Sequence, residues 1–424
     1  MIRRVASIVA GLLFLLSPSL VTAQTGIVVI DSHVDVSFPS QAVFTVEAES
    51  NVDIVDARLY YQVNKMNYAE VTSEGWADFT PATTIDASWV WDMTNASLPP
   101  GAEVTYWWRI EDDAGNSVET ATQIMHFDDT RFTWQSLTSS SSAGGGEGMT
   151  LYWYSGSDSF ARQLMDTCEE GLASLTQEIG AYPEKPIKIY VYASTSDLKG
   201  AMVFSQEWTG GVAFTDFGII AISISPSQLE WGKGALVHEL THLVVHQATF
   251  SPYGQLPLWL DEGLATYSQG ALDSDLRSSL NTAISQGTLI SVRTLCSPFS
   301  AYTDKARLSY AESYSLVEYL LDNYGQDRML DLLTVLKQGS TYDEALTEVY
   351  GFDIDGLDAS WRAALTSDTL TAVSRSLEQG EGAARGFHPA LIAALAVLGM
   401  GLAVWGGLTL KRRSGRRSSD ASTT

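Results

Sequence analysis

Two histidines four positions apart, His238 and His242, enclose a glutamate in the run His238-Glu239-Leu240-Thr241-His242. On a helix, residues i and i+4 share one face, so both imidazoles can point at a single tetrahedral metal ion, with zinc the natural choice. Glu239 then stands beside that ion rather than on it, where its carboxylate can take a proton from an activated water. The chemistry implied is metal-assisted hydrolysis. The flanking residues Ala235, Leu236, Val237, Leu243, Val244 and Val245 are apolar, and the whole chain has 6 histidines, so the pair is not a product of histidine-rich composition. His246 lies one turn further on. Three ligands from one straight helix would spread over about 12 Å of rise, too far for bonds of about 2.1 Å, so His246 is expected to support or pack.

The elements that must hold these residues fall in the stretch 149–378. Leu151-Tyr152-Trp153-Tyr154, Ile187 to Tyr192 and Ile219 to Ile224 read as strands, and a helical pattern runs from Ser159 to Ile179. Helical patterns follow at Trp231 to Gln247, Pro257 to Gln269, Tyr310 to Tyr324, Gln326 to Lys337, Tyr342 to Val349 and Ile354 to Leu365. A small sheet followed by helices indicates an α+β domain. Residues 24–136 instead alternate apolar and polar residues in short runs, as in Val104-Thr105-Tyr106-Trp107-Trp108-Arg109-Ile110, separated by turns such as Pro99-Pro100-Gly101. This is the pattern of an all-β sandwich, and it resembles an immunoglobulin-like or fibronectin type III module. Serines and glycines at 137–148 mark a linker between the two units.

Both ends carry membrane signals. Arg3 and Arg4 precede the apolar run Val5 to Leu16, and Val21-Thr22-Ala23 offers small residues for cleavage, so residues 1–23 are expected to be a signal peptide. After a spacer at 379–388, residues 389–410 contain no charge and are long enough for one transmembrane helix. The tail 411–424 opens on Lys411, Arg412 and Arg413, which places it in the cytoplasm by the positive-inside rule. The expected topology is single-pass type I in the cell membrane, with the histidine motif extracellular. With 50 acidic residues against 25 basic ones the net charge is −25, which disfavours nucleic acid as a partner. Cys168 and Cys296 are the only cysteines and fit either a disulfide or two thiols.

Trp231 to Glu262 resembles the gluzincin branch of zinc metallopeptidases, and the domain is similar to the peptidase MA-like family. The likeness rests on the five-residue motif together with Trp259-Leu260-Asp261-Glu262-Gly263-Leu264-Ala265-Thr266-Tyr267, whose Glu262 falls twenty positions after His242. The resemblance implies one zinc ion held by His238, His242 and Glu262, with Glu239 as general base. It further implies an oxyanion-stabilising tyrosine at the start of a later helix. Tyr310 matches that placement, with Tyr314 second, although the Lys and Gly of the aminopeptidase pattern are missing. Gly210-Gly211-Val212-Ala213-Phe214 falls where the aminopeptidases carry Gly-Ala-Met-Glu-Asn on the cleft strand. Loss of the Glu and Asn points to an endopeptidase acting on a peptide or protein substrate.

The expected protein is therefore a membrane-anchored extracellular zinc metallopeptidase behind a β module. The competing expectation is a surface binding or adhesion protein that keeps the metallopeptidase fold as an inactive scaffold. A third is a protease that acts on neighbouring membrane proteins.

Overall fold

The computed structural model describes residues 26–139, 148–203 and 210–378. The expected signal peptide, spacer, membrane span and tail lie outside these residues. Among the described residues no helix is long and apolar enough to cross a membrane.

The first unit is β-rich. Its strands are β1 (Val28–Ser37), β2 (Gln41–Val63), β3 (Ser73–Trp76), β4 (Ala82–Asp92), β5 (Ala102–Asp112), β6 (Ser117–Glu119) and β7 (Gln123–Phe127). All seven belong to one hydrogen-bonded sheet in which β2 pairs with four of the others. The first half of β2 pairs with β1 and β4, the second half with β3 and β5. Ala42, Phe44, Val46, Ala48 and Ile54 are buried at even positions, Ala57 and Leu59 at odd ones. The register shift between Ile54 and Asp56 accounts for the change of phase, because one extra residue turns every later side chain to the other face.

The second unit is built on a five-stranded sheet. Its strands are β8 (Gln135–Thr138), β9 (Met149–Trp153), β10 (Ile187–Tyr192), β11 (Gly211–Phe214) and β12 (Ile219–Ser223), in the order β11-β12-β10-β9-β8. The three central strands are parallel and the two outer ones antiparallel to them. β8 straddles the boundary expected at residue 136, so the chain enters the second sheet before the serine-rich stretch. Both faces of this sheet are covered. Ile187, Ile189, Val191, Ile220 and Ile222 face the helices. Tyr190, Tyr192, Ile219 and Ala221 pack into the core of the first unit. Parallel strands need cover on both sides, and here the β module supplies one of the two layers. Lys188 donates to Glu103 at 2.8 Å and the Tyr192 hydroxyl to Asp129 at 3.0 Å, fastening that contact.

The helices are α1 (Asp158–Glu178), α2 (Thr195–Lys199), α3 (Leu229–Ala248), α4 (Leu258–Ser268), α5 (Ser274–Gln286), α6 (Val292–Leu295), α7 (Thr303–Tyr324), α8 (Gln326–Lys337), α9 (Tyr342–Tyr350) and α10 (Ile354–Glu378). Cys168, on α1, and Cys296 are both free thiols; burial pushes the Cys168 thiol far up and that of Cys296 to about 11.

Candidate metal centre

α3 is apolar on nearly every side, and it packs against α1, α4 and β11. A helix of this kind lives inside the protein, so a polar group on it must find a partner there. Thr241 does so by donating to the Val237 carbonyl at 2.8 Å. His238, Glu239 and His242 are buried too, and they meet α4. Residues Trp259 to Thr266 of that helix are all buried. At Gly263 an added Cβ would lie 2.5 Å from the Ser313 carbonyl oxygen, so the glycine sets how closely α4 and α7 approach.

Three atoms from the two helices form a small triangle. His238 Nε2 and His242 Nε2 are 3.1 Å apart, and each lies 3.5 Å from Glu262 Oε2. A tetrahedral ion with bonds of about 2.0–2.1 Å has ligand atoms separated by about 3.3–3.4 Å, so the triangle fits one face of such a tetrahedron. Neither Glu262 oxygen has a hydrogen-bond partner although both are buried. An orphaned carboxylate facing two imidazole nitrogens asks for a cation, and two imidazoles and a carboxylate are a donor set suited to zinc.

Each imidazole is oriented by its other nitrogen, as ligating histidines usually are. His242 Nδ1 donates to Asp261 Oδ1 at 2.8 Å, and His238 Nδ1 lies against the Gln269 carboxamide. With Nε2 turned to a metal, Nδ1 of His238 carries the proton, and turning over the Gln269 amide, whose nitrogen is placed against the ring, brings its oxygen there to accept it. His246 Nε2 donates to Asp261 Oδ2 at 3.0 Å. Asp261 therefore joins the second and third histidines of α3, which gives His246 the supporting place expected for it. Sequence reasoning passed over Asp261 and Gln269. The signal available for Asp261 was the need of a ligating histidine for an acceptor on its far side.

The same burial has different outcomes across the cluster. Burial drives the Glu239 carboxyl up to about 8, against the pull of His242 and of the Ala213 N–H that it accepts. At Glu262 burial also acts upward, but His242 and His238 outweigh it and the carboxyl stays below the usual range. Asp261 follows Glu262, held far down by His242 and His246 against its burial. Burial lowers His238 by more than Glu262 raises it. His242 is lowered by burial but raised further by Asp261 and Glu262, and it ends well above an ordinary imidazole.

β11 is an edge strand of the second sheet and flanks α3, so the run 210–214 does border the site. A Cβ added at Gly211 would lie 2.8 Å from Glu239 Oε1, so glycine leaves the room that the carboxylate occupies. The tyrosines differ from expectation. α7 begins at Thr303, seven residues before Tyr310, so Tyr310 stands inside the helix rather than at its start. No Gly or Pro interrupts Thr303 to Tyr324, which lets the helix start early. Tyr310 is buried with its ring edge-on to Phe299. The Tyr314 hydroxyl donates to Glu318 at 3.3 Å, and its ring leans on Tyr267.

Residues 167–367 match the family model described as the Peptidase MA superfamily, a span that includes α3 and α4. No curated protein matches the chain. Among solved structures, catalytically inactive OgpA from Akkermansia muciniphila in complex with an O-glycopeptide is 14% identical over 24% of this chain, with a TM-score of 0.19. The chain spans 28% of that protein's length. An M1 zinc metallopeptidase from Deinococcus radiodurans is 13% identical over 80% of this chain and 94% of its own, with a TM-score of 0.34. Likenesses this shallow leave the chemistry to be argued from the residues themselves.

Proposed function

We propose that the protein is a zinc metallopeptidase whose metal is held by His238, His242 and Glu262. The observation that carries this reading is the triangle of two imidazole nitrogens and an unpartnered carboxylate oxygen, with edges of 3.1, 3.5 and 3.5 Å. The family match over residues 167–367 supports it. A zinc ion bound there would supply a Lewis acid for the scissile carbonyl and would acidify the attacking water. Glu239 accepts the proton of the attacking water and returns it to the leaving amine. Asp261 and Gln269 keep the imidazoles turned inward. Tyr310 is the candidate oxyanion donor, one helical turn from Ser313, whose carbonyl borders the glycine next to Glu262.

The edge of β11 offers backbone groups for an extended peptide, and Gly211 to Phe214 include no side-chain carboxylate to receive a free amino terminus. That favours endopeptidase action. We infer further that the chain is exported and anchored through residues 389–410, with its catalytic unit outside the cell.

Glu239→Gln is the test. The variant is expected to hold as much zinc as the unaltered protein while peptide hydrolysis falls by about 10²–10⁴-fold. Full activity in that variant would sink the mechanism. Zinc bound by the unaltered protein with no cleavage across a peptide library would turn the reading to a binding scaffold.

A further inference from the structure

A cavity of about 370 Å³ lies where the two units meet. Met66 and Tyr68 of the first unit form one wall, and Asp216, His246 and residues 249–256 form the rest. The wall is fastened in place. The Tyr68 ring stacks on Phe250 with centroids 4.3 Å apart, its hydroxyl donates to the Ser251 carbonyl, and the Met66 N–H donates to the Asp216 carbonyl at 2.7 Å.

The cavity adjoins the metal centre. The His246 ring centroid is 6.4 Å from that of His242. Asp216 comes three residues after Ala213, whose N–H faces Glu239. At about 3.3 Å per residue, a peptide laid along the outer edge of β11, which pairs with no other strand among the described residues, reaches the cavity within about three residues of a carbonyl held near Glu239. The lining is selective in charge. Asp216 contributes a carboxylate, Tyr68, Phe250 and Tyr253 contribute aromatic surface, and no lysine or arginine takes part. Half-burial raises the Asp216 carboxyl, while Lys65, His246 and Lys185 act to lower it; the two lysines do so from outside the cavity. A carboxylate beside aromatic surface at a partly dry site favours a cationic partner.

We propose that this cavity receives a cationic group of the substrate, an ammonium or a guanidinium, with Asp216 as its charge partner and Tyr68 as its aromatic wall. The β module then takes part in choosing the substrate as well as covering the sheet. This rests on the peptidase reading and narrows it.

The test uses the full-length chain and matched peptides that carry lysine or norleucine at each of three positions on either side of the cleaved bond, with free or acetylated amino termini. Lysine is expected to raise kcat/KM about tenfold over norleucine at one position. Asp216→Asn should remove that preference, bringing the lysine-to-norleucine ratio of kcat/KM toward one, while the fold is kept because the Met66 bond uses only the backbone of residue 216. Tyr68→Leu should reduce the preference. A gain from free over acetylated termini that Asp216→Asn abolishes would assign the cation to the terminal amine instead of a side chain. Equal lysine-to-norleucine and free-to-acetylated ratios in the unaltered and Asp216→Asn proteins would overturn the proposal. The affinity of Glu239→Gln protein for the same peptides, with and without Asp216→Asn, separates the two claims. If no peptide is cleaved the peptidase reading fails, and the affinity ratio still decides for or against the cavity.

Discussion

Glu262 on α4 and Glu312 on α7 are both fully buried carboxyls on helices that pack together, yet their surroundings leave one ionised and the other protonated near neutral pH. Glu262 faces two imidazoles, and although burial opposes ionisation, His242 and His238 keep its carboxyl below the usual range. Glu312 accepts one N–H, from Ile290 at 3.0 Å, while its other oxygen has no partner. Burial there pushes the carboxyl up to about 8, with Ile290 and Arg362 offering only partial relief. Burial of an acid therefore does not by itself make a binding site. What separates the two is whether neighbouring groups stabilise the charge, because an unpaired buried charge is removed by protonation and a well-faced one can hold a cation.

One substitution made at both positions tests the contrast. Glu262→Gln keeps the shape and deletes the charge, so the bound zinc measured by elemental analysis should fall from about one per chain toward zero. Hydrolysis should drop with it by more than about 100-fold, beyond what the loss of an outer hydrogen bond causes. A Glu262→Gln protein that still binds one zinc per chain would show that the triangle is not the metal site.

The contrast also marks what the sequence could disclose. The pairing of His238 with His242 is local, since helical spacing alone brings them to one face, and α1 and β10 appeared within one residue of their expected ends for the same reason. Glu262 came only through resemblance, because the distance between two helices is not written in the spacing of either. α5 went unread: it buries only Leu276, Leu280 and Ala283, so its apolar stripe is thin, although Asp273 caps its start and Gly287 at φ 67° ends it. The first two turns of α7 were missed on similar grounds, as Asp304, Lys305 and Arg307 break the apolar pattern there. The change of phase along β2 depends on a bulge that no residue type announces.

Asp261 lies between the two extremes, a charged acid that stands behind the triangle and pairs with two imidazoles. It orients His242 through Oδ1 and His246 through Oδ2. Asp261→Asn can still accept one hydrogen bond but loses the charge that serves both rings. Zinc affinity or kcat/KM is expected to fall by about 10–100-fold, with the thermal melt little changed. Loss of less than about threefold would mean that the Gln269 and helix contacts alone fix the imidazoles.

Glu312→Gln should have the smallest effect on chemistry and a measurable one on stability. The carboxyl lies at about 8 in the folded protein, against an ordinary 4.5. Between those values the folded chain holds a proton that the unfolded chain has released. Stability then falls as pH rises through this window, by up to about 1.4 kcal/mol per pH unit for a single group. Above pH 8 both states are ionised and the loss levels off. Glutamine cannot ionise, and it keeps the acceptor for Ile290, so the variant escapes that part of the decline. Denaturant melts of both proteins should agree near pH 4.5 and diverge toward pH 8 in favour of Glu312→Gln, by on the order of a few kcal/mol. Taking the difference cancels every group the two proteins share. Parallel curves across the window would mean that Arg362 keeps Glu312 ionised in the fold, and the distinction between the two buried acids would then rest on geometry alone.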